Sequence, residues 1–193
     1  MKWTLDNAHT TVGVAAKHLM LTTVRGRFSG VRGEIDFDPK VPLRAKAWLE
    51  IDAASVDTGD AKRDAHLRSA DFLDVEHHPT IRFESTSIRR EAGPFLVTGD
   101  LTIRGTTKPV AVKVEVSDVL DDPWGGKRVA FEATSKIDRR DWGLVWNMPL
   151  ANGGVLVSND LTIEVSIQAV PAKGAPQDEL TETVAEAEEA HTA

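Results

Sequence analysis

The chain contains no cysteine. That excludes a disulfide scaffold, thiolate metal sites and a cysteine nucleophile. Long apolar runs are missing too. Nothing approaches the roughly 18 apolar residues of a membrane-crossing helix. Lys2, Asp6, His9 and Lys17 break up the N-terminus. No apolar core follows a basic start, so no secretory signal is visible and a cytoplasmic location is expected. Net positive charge is also absent. The chain carries −7, and the six acids of residues 174–193, where no Lys or Arg falls, leave −1 for residues 1–173. A nearly neutral body argues against nucleic acid as a partner.

Catalytic signatures are equally scarce. No Gly-x-Ser-x-Gly elbow occurs. Gly125-Gly126-Lys127 is no phosphate loop, because Asp121 stands where Gly is required and Arg128 where Ser or Thr is required. No Gly-x-Gly-x-x-Gly opens a helix. His66, His77 and His78 lie near Asp64, Asp71 and Asp74, but their spacing fits no dedicated zinc pattern. Surface polar residues around a turn are the better reading. No metal and no resident cofactor are expected.

What is present is a rhythm of two, the mark of half-buried strands. Val110, Val112, Val114 and Val116 alternate with Ala111, Lys113 and Glu115. Phe95, Val97, Gly99, Leu101 and Ile103 form a second row; Val129, Phe131, Ala133, Ser135 and Ile137 form a third. Leu161, Ile163, Val165 and Ile167 repeat it late in the chain, as do Ala45, Ala47, Leu49 and Ile51 earlier. Each row places its apolar side chains on one face. Further strands are read near 10–21, 24–38 and 80–85. Arg104-Gly105-Thr106-Thr107, Asp121 to Gly126 and Asn152-Gly153-Gly154 read as turns. The result is all-β, with about eight mostly antiparallel strands. Asp60 to Arg68 breaks the rhythm with good helix formers, capped by Thr58 or Asp60. This short helical insertion near 60–75 would serve as a lid or plug. Alternation alone does not separate a barrel from a sandwich. Residues 171–193, with Pro171, Gly174 and Pro176 ahead of the acids, read as a linker and a solvated, disordered tail.

An ordered set of motifs then points to a family. Trp3-Thr4-Leu5-Asp6 is followed by His18-Leu19, Val24-Arg25-Gly26-Arg27-Phe28 and Ser55-Val56-Asp57-Thr58-Gly59. Next come Arg63-Asp64, His66-Leu67-Arg68-Ser69, Asp71-Phe72, Pro79 and Phe83-Glu84-Ser85-Thr86. Gly99-Asp100-Leu101-Thr102-Ile103-Arg104-Gly105 and Arg140-Asp141-Trp142-Gly143-Leu144 complete it. In this order, from Trp3 to about Gln168, the chain resembles the YceI-like, polyisoprenoid-binding, lipocalin-like proteins. His78 departs from the pattern, standing where an aromatic often precedes the proline.

The resemblance implies an eight-stranded antiparallel lipocalin-like barrel over residues 1–170, holding an isoprenoid or similar long-chain lipid for transport, storage or sequestration. The expected lining is Val14, Phe28, Leu49, Phe83, Leu101, Ile103, Val112, Phe131, Leu144 and Ile163. Arg139 and Arg140 are head-group candidates, because guanidinium groups pair well with phosphate. An alternative is an enzyme of lipid metabolism using Ser135 or Asn159 in the same cavity. Another is a β interaction module without a ligand. Transient membrane contact and a homodimer stay open.

Overall fold

The computed structural model describes residues 1–150 and 154–172. The asparagine-glycine turn expected at 152–154 and the acidic tail therefore fall largely outside the described residues. The described residues form twelve strands: β1 (Lys2–Leu5), β2 (Thr11–His18), β3 (Thr22–Phe28), β4 (Val31–Asp36), β5 (Lys46–Asp52), β6 (Val56–Asp57), β7 (Thr80–Arg90), β8 (Phe95–Ile103), β9 (Thr106–Val116), β10 (Leu120–Asp121), β11 (Lys127–Asp138) and β12 (Val157–Pro171).

Three pairs of these are single bent staves. A turn of 3₁₀ helix, Asn7–His9, joins β1 to β2, and Asp6 caps it by accepting from the Ala8 N–H at 3.1 Å. Ser29-Gly30 bends β3 into β4. The bend packs closely, since a Cβ on Gly30 would lie 2.7 Å from the Cβ of Asp52. Ala53–Ser55 joins β5 to β6. The sheet then runs β1/β2, β3/β4, β5/β6, β7, β8, β9, β11, β12 in strict chain order.

Pairing of β12 closes the ring. One edge of β12 pairs with β11 from Val129↔Ala169 to Asp138↔Asp160. The other edge takes β2 from Thr11 to His18 and β1 from Trp3 to Leu5. All neighbours are antiparallel. The outcome is a closed eight-stranded up-and-down barrel, which removes the open edges a flat sheet would expose.

Local chemistry sets the connections. Arg104 and Gly105 make a two-residue hairpin loop with φ of 49° and 71°, tighter than the four-residue turn the sequence suggests. Left-handed geometry at both positions matches the twist of the flanking strands. The strand expected over 10–21 ends at His18. Leu19, Met20 and Leu21 form the β2–β3 turn, closed by the Leu21 N–H donating to the His18 carbonyl at 3.0 Å.

The two barrel ends differ. At one end Trp3, Val129 and Ala169 are fully buried, and Phe37 meets Phe131 edge-on at 5.4 Å. The Trp3 indole donates to the Phe37 carbonyl at 3.0 Å, so its one polar atom is satisfied inside this plug.

At the other end lies the helix, α1 (Ala61–Arg68). Asp60 caps it, accepting from the Lys62 and Arg63 N–H groups at 3.0 Å. Asp64 is buried and accepts from the Thr58 N–H and hydroxyl. It is therefore a structural anchor, not the surface residue expected from the sequence. Arg68 fixes the other end of α1 by donating to the carbonyls of Ala54 and Val56 at 2.7 and 2.6 Å.

Candidate ligand cavity

Inward rows of all eight staves leave an interior cavity of about 640 Å³. This is well within the range of small-molecule sites, about 300–1,000 Å³. The wall is overwhelmingly hydrocarbon. Every one of Val14, Phe28, Leu49, Phe83, Leu101, Ile103, Val112, Phe131, Leu144 and Ile163 contributes to it. These ten come from β2, β3, β5, β7, β8, β9, β11, β12 and the segment after Trp142. The wall therefore draws on the whole ring rather than on one face.

Spacing along the strands makes the room. Ala45, Ala47 and Ala133 sit in inward rows beside much larger neighbours. Gly99 goes further. Phe83 lies over it, so that a Cβ there would meet the Phe83 ring at 2.4 Å. Without a side chain at Gly99, the Phe83 ring rests against the backbone of β8 while it lines the cavity.

The two candidate arginines part company at the start of the 3₁₀ turn Arg139–Trp142, one turning inward and the other outward. Arg139 is 2% exposed and lines the cavity. Its guanidinium donates to the Ser158 carbonyl at 3.0 Å, to the Leu144 carbonyl and to Asn159 Oδ1 at 3.4 Å. Burial pushes its pKa below the ordinary arginine value. Arg140 lies outside the lining and clasps Asp138. That contact and the Arg140 N–H hold the Asp138 carboxyl down at about 2. The pair thus does not form one head-group site. Arg139 ties together the segment beyond β11, and Arg140 belongs to the outer surface.

Ser135 and Asn159 are likewise engaged. The Ser135 hydroxyl donates to the Ala111 carbonyl at 2.8 Å, and Asn159 receives Arg139. Among the described residues no group of three or more His, Asp or Glu side chains is arranged to hold a metal. His66 Nε2 lies 2.8 Å from Asp71, His77 Nδ1 lies 2.9 Å from Asp74, and His78 packs against Gly105.

Sequence reasoning missed the ring of elements at the helical end. The His66 and Phe72 rings contact Trp146 at 4.6 and 5.2 Å. Met148 accepts from the Leu156 N–H at 3.1 Å, and Val157 pairs with His18. Beyond the β2–β3 hairpin, Gly26 sits against Thr58, which is bonded to Asp64 of α1. This closes a circle of contacts around one end of the cavity. His18, Val24, Thr58, His66, Trp146 and Leu156 all line the cavity from that circle. The exposed side chains of Lys17, Lys62 and Arg63 line it there as well, marking where the wall reaches the surface. With Lys46 and Arg139 they make five cationic side chains in a wall that contains no Asp or Glu.

A closed meander around an apolar cavity defines a barrel of the ligand-enclosing kind, in which eight strands suffice to hold one small molecule. The YceI-like domain model matches residues 3–169, and the chain belongs to that family. It is 37% identical over 168 residues to the Escherichia coli protein YceI, covering 87% of this chain and 85% of that protein. The Burkholderia cenocepacia protein BcnA superposes with a TM-score of 0.74 at 24% identity, covering 85% of this chain and 98% of that one. A Saccharophagus degradans domain described as polyisoprenoid-binding superposes with a TM-score of 0.67 at 15% identity, covering 88% of this chain and 98% of that domain. At these identities the two superpositions establish a shared fold.

Proposed function

We propose that this protein binds one isoprenoid or similar long-chain lipid inside the barrel and carries or sequesters it without chemical change. The observation that bears most weight is the wall, built of apolar side chains from every stave around one cavity. The description of the Saccharophagus domain as polyisoprenoid-binding points the same way. The lipid chain lies against the ten lining residues, and its head group stays near Lys17, Lys62 and Arg63. Affinity comes from apolar burial at about 0.8 kcal/mol per CH₂. Summed over a long prenyl chain, that figure passes the practical ceiling of about −18 to −21 kcal/mol. Ordering the chain consumes the excess. Length selectivity then follows cavity depth. The engagement of Ser135 and Asn159 with protein partners favours binding over catalysis.

Native mass spectrometry of freshly purified protein, followed by organic extraction, tests this reading. About one retained lipid per chain is the expected result. Protein that arrives bare and takes up no added prenyl lipid overturns it. Leu101→Arg and Phe131→Arg proteins that stay folded should extract far less lipid. Parent-like extraction by both would refute the lining.

A further inference from the structure

The chain has ten exposed large apolar side chains among the described residues, and six of them border one end of the cavity. Leu19, Met20 and Leu21 form the β2–β3 turn; Val145, Met148 and Val155 flank it on the neighbouring segments. Backbone hydrogen bonds join these pieces into one border. The Leu19 N–H donates to the Leu156 carbonyl at 2.8 Å, the Leu156 N–H donates to the Met148 carbonyl at 3.1 Å, and Val155 bridges to Pro149. Leu156 and His18, at the root of this border, line the cavity. The other four exposed apolar residues sit in two separate stretches, around 41–43 and 120–124.

The turn itself is built against folding preference. Leu19 and Met20 both adopt positive φ, 53° and 59°. Left-handed backbone at two successive positions is what Asn-Gly supplies at low cost. Leucine and methionine meet a Cβ penalty there. They also leave Met20 63% and Leu21 78% exposed to water. Neither backbone energetics nor burial accounts for these side chains. A local conflict of this kind marks a site whose residues serve something other than the fold.

We propose that this border docks on the surface of an anionic lipid bilayer, with the Leu19-Met20-Leu21 turn inserted among the acyl chains. The inference rests on the lipid-binding reading, because it places the cavity end against the phase where such a ligand resides. Charge supports the same partner. Lys17, Lys62 and Arg63 lie at this end of the wall, which has no carboxylate. Shallow insertion of apolar tips beside basic side chains is the usual form of reversible attachment to anionic membranes. A neutral partner protein would have no use for the cations.

The test is flotation of the full chain with vesicles of equal parts phosphatidylcholine and phosphatidylglycerol, and with phosphatidylcholine alone. The comparison is a Leu19→Asn/Met20→Gly double variant. Parent protein should float with the anionic vesicles and less with the neutral ones. The variant should bind at least about tenfold less, since it loses the two apolar side chains, while unfolding at the same or a higher temperature because the turn is relieved. Equal flotation of parent and variant, or a parent that floats with neither vesicle, overturns the proposal. So does a parent dimer that the variant dissociates, because a second copy would then cover the border. Uptake of a prenyl lipid from detergent micelles is measured in parallel. If the variant matches the parent there but collects lipid more slowly from vesicles, docking is isolated as the lost step. Failure of both proteins to take up lipid from micelles counts against the carrier reading alone, since flotation reads docking directly.

Discussion

The side chain of Asn147 brackets the backbone of Val157. Its amide Nδ2 donates to the Val157 carbonyl at 2.7 Å, and its Oδ1 accepts from the Val157 N–H at 3.1 Å. One side chain thus stands in for a neighbouring strand at the start of β12. Asn147→Ala removes both bonds from a partly buried site, together with the bond Oδ1 accepts from the Met148 N–H at 3.0 Å. We expect a loss of about 1–3 kcal/mol, read as a lower denaturant midpoint with an unchanged slope. Hydrogen exchange at Val157 should speed up more than exchange at Ile167, where β12 is held by β11.

Filling the cavity should separate folding from binding. Ala133 faces the interior, paired with Val114 on one side and Val165 on the other. Ala133→Phe places a ring in space the wall leaves open. The fold should keep its unfolding temperature or gain slightly, whereas uptake of a long prenyl chain should fall at least about tenfold as methylene contacts are displaced. Parent-like uptake by a folded Ala133→Phe protein would place the ligand elsewhere.

Gly99 allows little substitution, even by alanine. An added Cβ would lie 2.4 Å from the Phe83 ring and 2.6 Å from the Glu84 carbonyl. The ring can swing aside, but the carbonyl belongs to the β7–β8 ladder. Gly99→Ala should cost about 1–3 kcal/mol through overpacking. A thermal unfolding curve unchanged from the parent would show that Phe83 does not rest on β8.

Asp138 gives the barrel an acid-sensitive joint. Its carboxyl caps the 3₁₀ turn Arg139–Trp142 and pairs with Arg140. Its pKa falls from 3.8 to about 2, chiefly through the Arg140 side chain. A depressed carboxylate stabilises the fold fully above its unfolded value and loses that contribution as pH falls through the folded value. Parent stability should therefore carry an acid-side slope between about pH 4 and about pH 2 that Asp138→Asn reduces. Melting curves of the two proteins across that window check the sign.

The strands were readable because one residue in two must be apolar when a sheet buries one face. Val110 to Val116 and Leu161 to Ile167 announce themselves, and their inward sides follow directly. Closure was not readable from alternation, which a sandwich shares; the ordered motifs from Trp3 to Gln168 carried it. The turn at Leu19-Met20-Leu21 read as strand because its residues are apolar, and only backbone geometry reveals otherwise. Trp146, Leu156 and Val157 went unrecognised as wall because residues 145–157 have no period to read. Their one signal was a tryptophan close to the cavity-lining Leu144. Asp64 misled for a different reason: its charge suggests water, but the neighbouring Thr58 supplies two hydrogen-bond donors that offset its burial.

Closure by the final strand also shapes how this chain can be made. Val14 and Ile163 pair across the seam although about 150 residues separate them. On a ribosome, β1 and β2 emerge first, and one of their edges stays unmatched until almost the whole domain has been synthesised. Seven staves then form a curled ribbon with a greasy inner face and two free margins, the kind of species that sticks to its own copies. The last stave ends this exposure at a stroke, matching both margins at once. Synthesis speed across the β12 codons, rather than the stability of the finished barrel, is where yield of soluble protein should be most sensitive.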